Sequence, residues 1–149
     1  MCFNTSILGY QEILTDPSYS NQIITFTFPH IGNVGVNKYD IESEKPAAKG
    51  LVIREDIPVQ SNFRATDNFE NWLKKNKLVG ISGVDTRQIT QMLREKGSVN
   101  AIIEYKKNGK FNFKKIARKL KNWEGIKNCD LTTEVTRNKN YLWNKTVWS

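Results

Sequence analysis

Histidine occurs only once in this chain of 149 residues, cysteine twice and proline four times. A closed zinc site needs about four nitrogen and sulfur ligands, and one imidazole with two distant thiols cannot supply them. A cysteine hydrolase needs a thiolate, a nearby base and an orienting third group. The only candidates are Cys2 or Cys129 with His30. Neither cysteine lies in a nucleophile-elbow pattern. Reactive thiols also need special surroundings, so two inert thiols and a loop histidine are the preferred reading. The cysteines sit at opposite ends without partner spacing, which favours reduced thiols over a disulfide. No run approaches the roughly 18 apolar residues of a spanning helix, and no signal segment opens the chain. A soluble, cytoplasmic protein without a membrane partner is expected. Phosphate-binding signatures are also missing, since neither G-x-x-x-x-G-K-[ST] nor G-x-G-x-x-G occurs. The carboxylate pairs Glu42/Glu44 and Asp67/Glu70 read as loop charge and helix capping.

What is present is a globular composition, 38% hydrophobic with four Trp, five Tyr and seven Phe. The length suits one domain with a real core. The net charge of +8 is local rather than general. Lys106, Lys107, Lys110, Lys114, Lys115, Arg118, Lys119 and Lys121 occur with no acid among them, and the other basic residues match the 15 acids in number. Such a segment could contact phosphates. Phe113, Ile116, Ala117 and Leu120 nevertheless form an opposite apolar face, the pattern of a solvated surface helix with that face inward. Aromatics do not interleave with the lysines as single-strand binders require, so nucleic acid is disfavoured as a partner.

Along the chain, Cys2 and Phe3 look like the end of a strand. Tyr10, Ile13 and Leu14 share one face of a short helix that stops before Pro17. Ile23–Phe28 reads as a central strand, uncharged on both faces. Gly32 and Gly35 allow positive φ in the loop that follows. Gly50–Arg54, Leu78–Ser82 and Val99–Tyr105 read as further strands, with another near Leu131–Val135. Asp67, with Glu70 three residues on, has capping-box spacing for a helix whose inner stripe is Phe69, Trp72 and Leu73. Asp85 caps a second helix with inner residues Ile89, Met92 and Leu93, ended by Gly97. Lys107-Asn108-Gly109-Lys110 is a turn, and Asn112–Trp123 a basic amphipathic helix. Tyr141, Trp143 and Trp148 close the chain. Strands alternating with short helices point to an α/β domain with some parallel pairing.

Several stretches carry a resemblance. Phe3–Ser6 (FNTS), Gly9–Ser20 (GYQEILTDPSYS) and Pro29–Asn37 (PHIGNVGVN) resemble the N-terminal domain of the carbamoyl phosphate synthetase small subunit. In the same order come Gly50–Glu55 (GLVIRE), Ser61–Arg64 (SNFR), Val84–Thr90 (VDTRQIT), Leu93–Ile103 (LREKGSVNAII) and Cys129–Thr136 (CDLTTEVT).

The resemblance implies a three-layer β/β/α swivelling-type domain over residues 1–136, with a mixed sheet and short helices. Residues 137–149 would lead toward an amidotransferase part. In the family that part hydrolyses glutamine with a Cys-His-Glu set. The ammonia passes to a large subunit, a ligase that makes carbamoyl phosphate from bicarbonate and ATP for arginine and pyrimidine synthesis. No position here matches the catalytic set, so no catalytic residue, metal or cofactor is carried over. The domain's first strands are expected to be missing before Phe3. The expected role is non-catalytic: docking on the large subunit and completing the glutamine pocket through Ser18, whose hydroxyl offers one donor and two acceptor lone pairs. Ser18 could equally only close its own Asp-Pro turn. His30, Asn33, Arg87 and Arg94, polar members of the matched motifs, are candidate partner contacts. The alternatives are a stand-alone basic nucleic-acid-binding module, or a domain that self-associates through an unpaired edge.

Overall fold

The computed structural model describes residues 1–126, 129–136, 140 and 142. Four short strands form one sheet: β1 (Cys2–Asn4), β2 (Ile23–Phe26), β3 (Gly50–Val52) and β4 (Val79–Ile81). Their spatial order is β1-β2-β3-β4, and every pairing is parallel. The α/β reading holds. Where a mixed sheet is expected, antiparallel pairing among the described residues comes down to the isolated bridge between Val36 and Asp67. All four residues of β2 are buried, as two covered faces require.

Parallel neighbours need crossovers. Those between β1 and β2 and between β3 and β4 carry helices α1 (Tyr10–Thr15) and α2 (Phe69–Lys75). Because strand order advances one way, right-handed connections put both helices on the same face. There Tyr10, Leu14, Phe69 and Leu73 pack against Ile24, Phe26, Leu51 and Ile53 in one core. The alternate strand residues Ile23, Thr25 and Val52 are buried toward the other face. Helix α3 (Thr86–Lys96) crosses β1 and β2 there, burying Thr86 and Leu93.

Three expectations change at the level of elements. Val99–Tyr105 is not a strand: no ladder forms along it, and Ile103 instead packs its side chain onto Gly50 across the sheet. Leu131–Val135 is a short helix, α5, because Asp130 accepts the Thr133 N–H and caps it; that local bond outweighs the β preference of Thr132, Thr133 and Val135. Helix α2 is capped by Asn68, whose side chain accepts the Glu70 N–H at 2.7 Å, and not by Asp67. The basic helix α4 (Phe113–Lys121), which precedes α5, has no fully buried residue; Phe113 is 75% exposed and Ala117 is exposed, so the expected inward face is inward only in part, at Ile116 and Leu120. The segment 137–149, with Tyr141, Trp143 and Trp148, lies outside the described residues except for 140 and 142. Among the described residues no helix is long and apolar enough to cross a membrane.

Candidate functional site

Of the polar side chains singled out in the sequence, His30 and Asn33 follow the carboxyl end of β2, the edge where ligands commonly bind in open α/β sheets. Ser18 precedes the amino end of β2, its carbonyl accepting from the Gln22 amide at 3.3 Å, and Arg87 and Arg94 lie on α3. After β1 the chain reaches α1 and then a 3-10 turn over Pro17–Tyr19. Asp16 caps that turn by accepting the Ser18 N–H at 2.8 Å. Tyr19 ties it to the sheet, its hydroxyl accepting from Asn4 at 3.0 Å. The turn is thus closed by the Asp16 carboxylate and backbone bonds, and Ser18 stands on the exposed surface.

Beyond β2 the chain turns through the glycine loop. Tyr10 and Gln11 hold this loop from α1. The Tyr10 hydroxyl donates to the Gly35 carbonyl at 2.5 Å. The Gln11 amide donates to the Asn37 carbonyl at 2.7 Å and accepts its N–H at 3.0 Å. Burial among these groups pushes the Tyr10 phenol well above its ordinary range. Gly35, with φ of 68°, has no room for a Cβ, which would stand 2.6 Å from that of Ala65. Sequence periodicity singles out Tyr10 for packing and does not find Gln11, which is buried because it substitutes for a strand partner to Asn37. A polar residue on a helix's inner side is the one available hint.

His30 is exposed, and its Nδ1 lies 3.1 Å from Glu55, which follows β3. Asn33 sits in the same loop, its N–H donating to the His30 carbonyl at 3.3 Å. Its side-chain oxygen is buried without a hydrogen-bond partner. Arg87 and Arg94 occupy exposed positions two turns apart on α3. The structure therefore brings His30 and Asn33 together, while the two arginines belong to the helix on the other face.

The thiols are not brought to the histidine. Cys2 pairs in register with Ile24 at the start of the strands, whereas His30 follows their far end. Burial raises the Cys2 thiol, and its sulfur lies 3.9 Å from the Ile23 carbonyl. Cys129 is exposed, 3.3 Å from the Gly125 carbonyl. Among the described residues no group of three His, Cys, Asp or Glu side chains could hold a metal ion.

Beside the glycine loop lies a crevice of about 430 Å³ lined by Glu12, Asp40, Glu42, Arg64, Leu8 and Tyr39, among others. Arg64 pairs with Asp40 at 2.7 Å. The Glu12 carboxyl is raised above its ordinary value, first by burial and then by Asp40 and Glu42. Leu8 and Tyr39 are more than half exposed, and beside them Ile7 is 60% and Phe63 95% exposed. Such a cluster of uncovered apolar side chains around a polar crevice has the make-up of a protein contact.

Comparison with known proteins matches residues 1–103 to the family described as "Carbamoyl-phosphate synthase small chain, CPSase domain". Among curated proteins the chain is 47% identical to the carbamoyl phosphate synthase small chain of Bartonella henselae, over 99% of this chain and 38% of that protein. The protein of the same name from Bradyrhizobium diazoefficiens is 45% identical with the same coverage. That of Zymomonas mobilis is 44% identical, over 100% of this chain and 40% of the relative. The chain thus spans well under half the length of the curated relatives it matches.

Proposed function

The chain belongs to the carbamoyl-phosphate synthase small chain family, and from that premise we propose that it is the non-catalytic N-terminal part of a glutamine-hydrolysing small subunit. It docks on a synthase large subunit and presents Ser18 to a glutamine pocket whose catalytic wall is an amidotransferase part. The observation that carries this reading is the capped turn. Asp16 and Tyr19 hold Ser18 in place with bonds of their own, leaving its exposed hydroxyl for a ligand. There the hydroxyl donates to, or accepts from, the polar end of an amino-acid substrate.

Docking is supported by the apolar rim around the Glu12–Asp40 crevice, since a lone soluble domain rarely leaves such a patch uncovered. His30 and Asn33 flank the strand ends and are proposed as contacts for the partner. Arg87 and Arg94 are proposed for the same role on the α3 side.

The test mixes this chain with a synthase large subunit and an amidotransferase part taken from the Bartonella henselae relative. Co-elution, with glutamine hydrolysis that depends on the added amidotransferase part, is expected. Ser18→Ala then raises KM for glutamine roughly tenfold or more, the scale of one lost hydrogen bond to a charged substrate group. Glutaminase activity of the chain alone, abolished by Cys2→Ala or Cys129→Ala, overturns the reading.

A further inference from the structure

The basic helix α4 begins at Phe113, beyond the matched family domain of residues 1–103 though within the span aligned to the curated relatives, and the proposed function makes no use of it. Its apolar side is covered only in part, at Ile116 and Leu120. Lys115, Arg118, Lys119 and Asn122 recur at i, i+3, i+4 and i+7, so they share one face. That face lines a cavity of about 870 Å³ at the amino ends of the strands. Phe113 and Ala117, nearly opposite on the helix, are left exposed. Lys49, immediately before β3, adds a fourth cation to the cavity wall.

The lining contains no carboxylate. Among the described residues none of the four cations forms an ion pair. Lys115 and Lys119, four residues apart, repel one another, so the arrangement weakens the helix unless an anion is shared between them. The remaining wall mixes polar groups, Gln22, Ser98 and Asn100 among them, with apolar ones. Trp123, 49% exposed, stands with Ile102, Val99 and Ile126 around the same space. A volume of this size is within the range of small-molecule sites, about 300–1,000 Å³. An arginine fork beside lysine point charges suits a phosphate, and an exposed indole suits a ring stacked on it.

We propose that this cavity binds a phosphorylated small molecule with a flat apolar body, the phosphate held by Lys115, Arg118 and Lys119 and the ring lying against Trp123. The concave wall favours a small ligand over a nucleic-acid strand, for which a single indole offers no run of stacking platforms.

Calorimetric titration of the full 149-residue chain with 1-naphthyl phosphate, inorganic phosphate and 1-naphthol tests the proposal. Naphthyl phosphate should bind saturably, and each half-ligand at least about tenfold more weakly. Lys115→Gln with Lys119→Gln should weaken it about tenfold or more, with no change in the circular dichroism. Lys114→Gln with Lys121→Gln removes the same charge from helix positions that do not line the cavity, and should leave affinity within about twofold. Trp123→Ala should weaken naphthyl phosphate and leave inorganic phosphate unchanged. Equal losses in the two double variants would reveal diffuse attraction to any polyanion, nucleic acid included, and overturn the proposal. So would the absence of saturable binding, or equal affinity for phosphate with and without its ring.

Discussion

Glu12 sits on α1 with its carboxyl half-buried in a crevice that already holds Asp40 and Glu42. Burial is the largest disturbance and raises its pKa, a hydrogen bond from its own backbone N–H opposes this, the neighbouring carboxylates raise it further, and Arg64 opposes weakly. A carboxyl raised on folding is favourable while protonated, below the ordinary value of 4.5, and that advantage is lost as pH rises through the folded value. At pH 7 the charge therefore opposes folding. Glu12→Gln is expected to raise Tm at pH 7, with the gain shrinking to nothing below pH 4.5; thermal scans across this range check it. A lower Tm at pH 7 would mean that the carboxylate is paired. Thr25 is the other residue at odds with its site, since its hydroxyl is fully buried on β2 without a partner. Neither conflict is visible in the sequence, where Glu12 is one more exposed helix residue and Thr25 a good strand former.

At the scale of elements, the start of α2 separates two neighbouring side chains by role. Asn68 caps the helix, whereas Asp67 reaches forward to Lys75 and Asn71 and accepts the Asn68 N–H. Those partners, Lys75 first, hold the Asp67 carboxyl at about 2. Its contribution is present above the ordinary 3.8 and is lost as pH falls toward 2. Asn68→Ala should cost about 1 kcal/mol at every pH in that range, the usual cost of a lost N-cap. Asp67→Ala should destabilise at pH 7 and do so much less at pH 2, where the carboxyl is about half protonated, as urea midpoints at the two pH values would show. An equal, pH-independent loss for both variants would restore Asp67 as the cap. The capping-box spacing of Asp67 and Glu70 points to the right turn of chain and the wrong residue, because either Asp or Asn can cap and only the backbone angles of each decide. Val99–Tyr105 fails for a different reason. Ile103 packs over Gly50, whereas Ile102 and Tyr105 stay exposed, so the segment takes its burial from one side chain and not from strand pairing.

For the whole molecule, Phe69 is the side chain that joins the parts. It is fully buried, its ring centroid lies 4.5 Å from that of Tyr10, and it packs against the position of Gly32 in the glycine loop. Truncation there opens α1, the loop and α2 together. Phe69→Ala is expected to cost about 3–5 kcal/mol in chemical denaturation, large against the whole stability of a domain of this size. A cost below about 1 kcal/mol would show that the two helices do not share a core. The short helix before Pro17, the central strand and the family itself were legible in the amino-acid sequence. Proline, glycine, Asn and Asp act locally, and a buried strand must be apolar on both faces whatever surrounds it. Only the tertiary structure decided what lay between segments distant in the chain: the purely parallel order of the sheet, Gln11 holding Asn37, the separation of Cys2 from His30, and the turning of α4's cations toward a cavity. Periodicity states that a helix has two faces. Which of them meets the protein depends on the space its neighbours leave.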